Sequence, residues 1–333
     1  MHFSYLCTEN QAPMTQRIIA FLKNWTLPIA MIIGAASYFI YRSIPALDDT
    51  HAAANRAIAF VQPALIFTML FLTFCKIQPR DLRLSPWQGW ALLLQCGTFA
   101  LGALLLLLAP KGHWTVIVEG FIICMICPTA TAAAVVTRKL GGNVGTLTAY
   151  TIIINLAAAI LVPILVPLIH PNAELTFLRS FLRIIGRVFP LLFGPFLLAT
   201  IFRHLLPKVT ERLSQYHDLA FYLWAVALAL AIAVTTKSIV HADCPWTYQL
   251  GIASASALAC IIQFAVGRHV GRKHHDMISA AQACGQKNII IAIWMCYTFM
   301  TPVTSIAGGF YSVWHNIYNS YQLYKHKKVE KRI

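Results

Sequence analysis

Ten apolar runs divide the chain, at about 26–42, 53–75, 87–109, 114–140, 144–169, 177–204, 217–240, 246–266, 277–300 and 303–322. Most reach the roughly 20 residues that one helical crossing of a bilayer needs. Of the 333 residues, 58% are hydrophobic and 11% charged, where a soluble domain carries roughly 25% charge. The pattern predicts an all-α integral membrane protein of ten transmembrane helices with short loops. Almost no sequence is left for a separate soluble domain, so catalysis outside the membrane is not expected. Pro79, Pro86, Pro110, Pro171, Pro207, Pro245 and Pro302 mark several run boundaries.

The net charge of +15 does not argue for nucleic acid, because the charges sit at run ends rather than along one face. With ten crossings, one side of the membrane collects Arg17, Lys23, Lys76, Arg80, Arg83, Arg138, Lys139, Arg203, Lys208, Arg212, Arg268, Arg272 and Lys273. The tail adds Lys325, Lys327, Lys328, Lys331 and Arg332, giving 18 of the 26 basic residues on that side. Loops rich in Lys and Arg stay in the cytoplasm, so both termini are expected there, with the cell inner membrane as the location. Most of the nine cysteines fall inside apolar runs, where they act as small hydrophobes. Cys124 and Cys127 form a CxxC, but without a second pair or a histidine cluster a zinc site is not expected.

The first 24 residues lack the apolar core of a signal peptide. Residues 1–24 are read as a leader and an interfacial segment, and translation can start at Met1 or at Met14. Residues 25–324 are expected to form one transmembrane domain, and 325–333 a basic cytoplasmic tail.

Two runs are not simple helices. The fourth holds CPTAT, where Pro128 removes a backbone donor, and the ninth holds ACGQKN, with Gly285 as the breaker. Unsatisfied backbone at membrane depth is tolerated only where it lines a cavity or is buried in protein. Interrupted segments at matching places in two halves point to a transporter binding site. Here they are fourth of five in each half, about 25–170 and 175–324, and an odd number of crossings inverts the second half. The half-helices that start near Thr131 and Asn288 expose free N–H groups, which attract anions. Thr131, Asn288 and Gln95 are therefore candidate ligands of a carboxylate or sulfonate. Thr131 can equally bond back to its own helix, and Gln95 can equally be an interhelical hydrogen bond. His315 and Asn316 stand side by side in the tenth run and are further candidates, or packing residues.

CPTATAAAVVTRKLGGNVGTLTAYT at 127–151 and YSVWHN at 311–316 resemble segments of the bile acid:sodium symporter family, read here as a bacterial member. That family's patterns are C-P-G-G-T-A-S-N with a following G-N-V, and F-S-V-W-H-N. The GxxN of GQKN is similar to its E-x-G-M-Q-N. The resemblance implies two inverted five-helix repeats, with the fourth and ninth helices broken and crossing. It also implies a panel built from the first, second, sixth and seventh helices, a core domain, and sodium-coupled uptake of an organic anion. Several implied sodium ligands are missing. The Ser-Asn pair falls on Ala133 and Ala134, a serine on Leu147, the glutamate on Ala283, and a glutamine on Lys287. Thr151 is kept, Asn155 replaces a small hydroxyl, and Gln95 matches the third-helix glutamine.

A charge at the bilayer centre costs roughly 3 kcal/mol on insertion scales, so it is functional by default. Lys287 would stand where the resemblance puts sodium, its tethered cation supporting the broken helices and an anionic substrate. Burial disfavours a lysine's charged form, so Lys287 can also serve as a proton carrier; the alternatives are snorkelling to water or capping helix C-terminal carbonyls. Lys287, Gln286, Thr151 and Asn155 form the candidate ion-coupling group. No metal site or cofactor is expected, and sodium would lack most of its ligands. Glu119 reads as an outer-interface residue. Arg179, Arg183 and Arg187 form one stripe near the outer surface that meets lipid headgroups or, alternatively, serves as an entry funnel for anions.

The expected function is secondary transport of a small organic anion by alternating access without sodium coupling, by a chain that can act as a monomer. Sterol conjugates, keto acids and pantoate-like metabolites all fit. The rivals are a sodium symporter with a rearranged site and a membrane ligand sensor that does not transport. An intramembrane enzyme would need a nucleophile–base set or paired carboxylates that the runs lack.

Overall fold

The computed structural model describes residues 14–77, 80, 82–110, 112–130, 132–171, 176–216 and 219–330. Every apolar run is helical. In chain order the helices are α1 (Met14–Arg42), α2 (His51–Cys75), α3 (Pro86–Leu108), α4 (Thr115–Ile126), α5 (Ala133–Lys139), α6 (Val144–Ile169) and α7 (Phe177–Leu205). They continue with α8 (Pro207–Gln215), α9 (Leu219–Val240), α10 (Trp246–Lys273), α11 (Met277–Gly285), α12 (Ile289–Phe299) and α13 (Pro302–Glu330). No strand occurs among the described residues. Six helices are long and apolar enough to cross a membrane: α2, α3, α6, α7, α9 and α10. The molecule is thus an all-helical, multi-pass membrane protein.

The fourth run is divided into α4 and α5 and the ninth into α11 and α12. Two segments read as separate are continuous with neighbouring helices, and one further helix, α8, lies between the apolar runs. Helix α1 begins at Met14 and includes the stretch assigned to an interfacial segment, and residues 1–13 lie outside the described residues. Helix α13 continues through the basic stretch to Glu330, and residues 331–333 lie outside the described residues. Amphipathic α8 follows α7 directly, with Pro207 at its first position, where a missing N–H costs nothing.

Helix ends are fixed by local chemistry. The Asn143 side chain accepts from Gly145 N at 2.9 Å and caps α6. Gly141 takes a left-handed φ of 78° after α5, and the Gly142 N–H returns to Thr137 O at 2.8 Å. Gly267 and Gly271, spaced as GxxxG on α10, let α11 approach closely. A Cβ at Gly267 would lie 2.6 Å from Ala280 O, and one at Gly271 2.7 Å from Asp276 O.

Helices α1, α2, α7 and α9 pack on one another, while α3, α4, α10, α11 and α13 pack around a second centre. Helix α6 joins the groups through α7, and α13 through α9. Many contacts come in matched pairs when the first five runs are exchanged for the last five: α3 on α4 with α10 on α11, α3 on α6 with α10 on α13, and α2 on α7 with α1 on α9.

The close α10–α11 approach sets a prediction. Gly267→Val should destabilise the purified protein by about 1–3 kcal/mol through overpacking. Gly89→Ala, on an open helix face with nothing near its Cβ, should be neutral or slightly stabilising. Thermal unfolding in detergent measures both.

Candidate functional site

The two breaks meet. Pro128 contributes no N–H, and past it the backbone is extended; Gly285 lies so close to the Phe264 ring that a Cβ there would stand 2.4 Å from it. The freed segments pair as a short antiparallel bridge between Thr129 and Lys287. Ala130 N donates to Gln286 O at 2.8 Å, and Asn288 N to Pro128 O at 2.8 Å. Each interruption therefore satisfies backbone groups left by the other, as a low-dielectric interior demands.

The two bridge residues then do the same work on opposite half-helices. Thr129 Oγ1 donates to Ala283 O of α11 at 2.7 Å. Lys287 Nζ donates to Met125 O of α4 at 3.1 Å. Lys287 is only 2% exposed, so its long side chain does not snorkel but folds back onto the C-terminal turn of α4. That turn carries the negative end of the helix dipole, where a cation is favoured.

A polar network completes the arrangement. Gln95 Nε2 donates to Cys284 O at 3.3 Å and to Gln263 Oε1 at 3.0 Å. Gln263 Nε2 donates to Cys124 O at 3.2 Å and to the Tyr311 hydroxyl at 3.0 Å. Tyr150 OH donates to Gln95 Oε1 at 2.8 Å, and Tyr311 OH to Gly285 O at 2.8 Å. Carbonyls at the C-terminal ends of both α4 and α11 are thus capped by side chains of α3, α10, α13 and the breaks themselves. Gln95 and Gln263 sit in the third and eighth runs, so the network repeats across the two halves.

The other sequence candidates are placed as follows. Gln286 and Asn288 are buried, and Gln286 Oε1 and Asn288 Oδ1 have no hydrogen-bond partner. His315 is fully buried, with both ring nitrogens unpartnered and its ring edge-on to Tyr311 at 5.6 Å. Asn316 Nδ2 is also unpartnered. Thr151 Oγ1 bonds back to Leu147 O at 3.0 Å, and Asn155 Nδ2 to Thr151 O at 2.6 Å, both within α6. Thr131 lies outside the described residues. At the positions where sodium ligands are implied, Ala133, Leu147 and Ala283 are buried apolar side chains. Among the described residues there is no group of three or more His, Cys, Asp or Glu side chains arranged for a metal ion.

Sequence reasoning missed Thr129, Tyr150, Gln263 and Tyr311. A signal existed for Gln263, an amide deep in the third apolar run of the second half, as Gln95 is in the third run of the first. Glu119, read as an outer-interface residue, is 5% exposed and accepts from Thr304 Oγ1 at 2.6 Å, a partner that the sequence reading did not name.

A double-mutant cycle tests the network. Gln95→Leu and Gln263→Leu should each destabilise by about 1–3 kcal/mol, because each leaves a buried carbonyl uncapped. The double variant should lose less than the sum, as coupled neighbours do, in denaturation followed by tryptophan fluorescence.

No curated protein matches the chain. The model of one family, described as the SBF-like CPA transporter family, matches residues 31–326. The match takes in both breaks, the glutamine pair and most of α13. The chain belongs to the SBF-like CPA transporter family, a bile acid:sodium symporter-like family, and is a membrane transporter by that membership.

Proposed function

We propose that the protein is a sodium-independent secondary transporter of small organic anions, working by alternating access in the cell inner membrane with both termini in the cytoplasm. The observation that carries this is the Lys287 ammonium on Met125 O at the crossing of the breaks. A fixed cation there does the structural work of a bound sodium ion, offsetting the negative helix end. Sodium fits the neighbouring positions poorly, since Ala133, Leu147 and Ala283 offer it no side-chain oxygen, and an ammonium repels it.

The ten runs act as two inverted repeats, a reading supported by the matched packing pairs and by the mutual bridge. The α1, α2, α7 and α9 group is the panel against which the core rocks. The unpartnered groups of Asn288, Gln286, His315 and Asn316 are available to an anion and its polar substituents, and Thr131 is an added candidate. Gln95 belongs to the scaffold rather than to the substrate, because both ends of its amide are engaged. Thr151 is bonded within α6 and loses its ion-coupling role in this reading. Asn155 is bonded through Nδ2 alone and its buried Oδ1 has no partner, so it stays a candidate.

Counterflow in sodium-free proteoliposomes, with labelled taurocholate, pyruvate and pantoate, tests the proposal. Exchange of at least one anion is expected. Lys287→Met leaves Met125 O uncapped and should therefore fold with a stability lowered by about 1–3 kcal/mol. In the fraction that remains folded it should lose about tenfold or more in exchange, the factor that about 1.4 kcal/mol of lost helix-end compensation corresponds to. Wild-type exchange in Lys287→Met would overturn the role of the cation. Specific binding of an anion with no vesicle flux would favour a sensor.

A further inference from the structure

Buried polar groups without partners continue past the crossing along one face of α13. Tyr311, His315, Asn319 and Gln322 follow one another at spacings of four, four and three, so they stack on that face. Tyr311 marks the level of the break, since its hydroxyl donates to Gly285 O at 2.8 Å. His315 comes next, fully buried and with neither ring nitrogen partnered. Gln322 lies eleven residues beyond Tyr311, about 16 Å along the helix axis.

The far end of this face meets α10 and α11. Gln282 Nε2 of α11 donates to Asn319 Oδ1 at 3.0 Å, and the Arg268 guanidinium of α10 donates to Gln322 Oε1 at 2.9 Å. Gln282, Asn319 and Gln322 are all buried, yet Gln282 Oε1, Asn319 Nδ2 and Gln322 Nε2 have no partner. Turning the amides over does not remove the deficit. A guanidinium only donates, so Gln322 must present its oxygen to Arg268 and keep its NH2 group unpaired. Reversing Gln282 and Asn319 together exchanges their roles and again leaves one NH2 and one carbonyl over.

Arg268 is half-buried. Among the described residues it has no carboxylate partner; besides Gln322 it has only the Tyr318 ring, 5.7 Å from the guanidinium carbon. Tyr318 in turn packs on Phe264 of α10, with ring centroids 4.3 Å apart. An uncompensated cation therefore stands beside two buried NH2 groups that lack acceptors. Water would supply an acceptor but no charge. A carboxylate or sulfonate supplies both, with oxygens enough to span a guanidinium N–H and an amide NH2.

We propose that Arg268, Gln322 and Asn319 form a second anion-binding site, which takes the acidic oxygens of the transported anion after they leave the breaks. Its place on the path rests on the transporter reading above, in which this end of α13 is cytoplasmic. The anion passes from the crossing along His315 to Asn319 and then to Arg268, exchanging one set of donors for the next. Gln282 Oε1 accepts from a water or hydroxyl that travels with it. Lys287 and Arg268 hold positive charge at the two ends of the route, and the unpaired amides lie between them.

The site is read through Tyr318. The purified full chain is labelled with 3-fluorotyrosine, and the Tyr318 signal in its fluorine spectrum is identified by its loss in Tyr318→Phe. Potassium salts of pyruvate, pantoate and taurocholate then replace potassium chloride at constant ionic strength. At least one should move the Tyr318 signal along a saturable, single-site curve, and Arg268→Gln should need about tenfold more of it. Gln322→Glu sets a carboxylate of the chain itself beside Arg268. It should melt no lower than the wild type, which shows that it is folded, yet its Tyr318 signal should respond to none of the anions. No saturable movement in the wild type, or an unaltered curve in either variant, would overturn the site. In sodium-free proteoliposomes both variants should raise the half-saturation for exchange from the cytoplasmic face about threefold or more. Half-saturation unchanged in both would overturn the place on the path and leave the transporter reading intact. No exchange of any anion by the wild type would sink the transporter reading instead, and the fluorine titration alone then decides the site.

Discussion

The rest of the structure depends on the antiparallel bridge between Thr129 and Lys287. Two helices interrupted at membrane depth would each leave backbone groups without partners, at a cost of several kcal/mol per group. Neither interruption is tenable alone. Paired, they exchange the Ala130–Gln286 and Asn288–Pro128 hydrogen bonds and expose their C-terminal carbonyls to side chains that cap them. Helices α3, α10 and α13 form the frame that holds this crossing.

The capping side chains are not equal in kind. Thr129 offers a neutral hydroxyl and Lys287 an ammonium, although each reaches the carbonyl of the half-helix opposite. The asymmetry puts a single positive charge at the crossing of the breaks. In a transporter, a group that binds its anion between two such half-helices meets favourable backbone N–H groups and a nearby cation. A mobile ion at the same place would come and go with the substrate, whereas a tethered one cannot leave. In the proposed cycle, that difference would replace sodium drive by the substrate gradient or by another ion.

Much of this was legible in the sequence. The runs, the two breaks and the anomaly of Lys287 follow from hydropathy, one proline and one glycine. What the sequence could not give was partnership. A glutamine in an apolar run, such as Gln95 or Gln263, announces only that it needs partners, and three-dimensional approach decides which carbonyls those are. Gln95 looked equally able to meet an anion or another helix, and it meets Gln263 and Cys284 O. Glu119 was read along one helix alone, which hid its partners. The ends of α6 and α13, far away in sequence, supply its partners. Basic residues at 325–328 suggested a tail, yet lysine is a good helix former, so α13 runs on to Glu330.

The central claim is that a covalently held cation has taken the place of sodium. The most direct measurement is the initial rate of anion uptake into proteoliposomes as sodium replaces potassium at constant ionic strength. The account predicts a rate that stays flat from nominally sodium-free buffer upward. A rate that rises with sodium and saturates would contradict it.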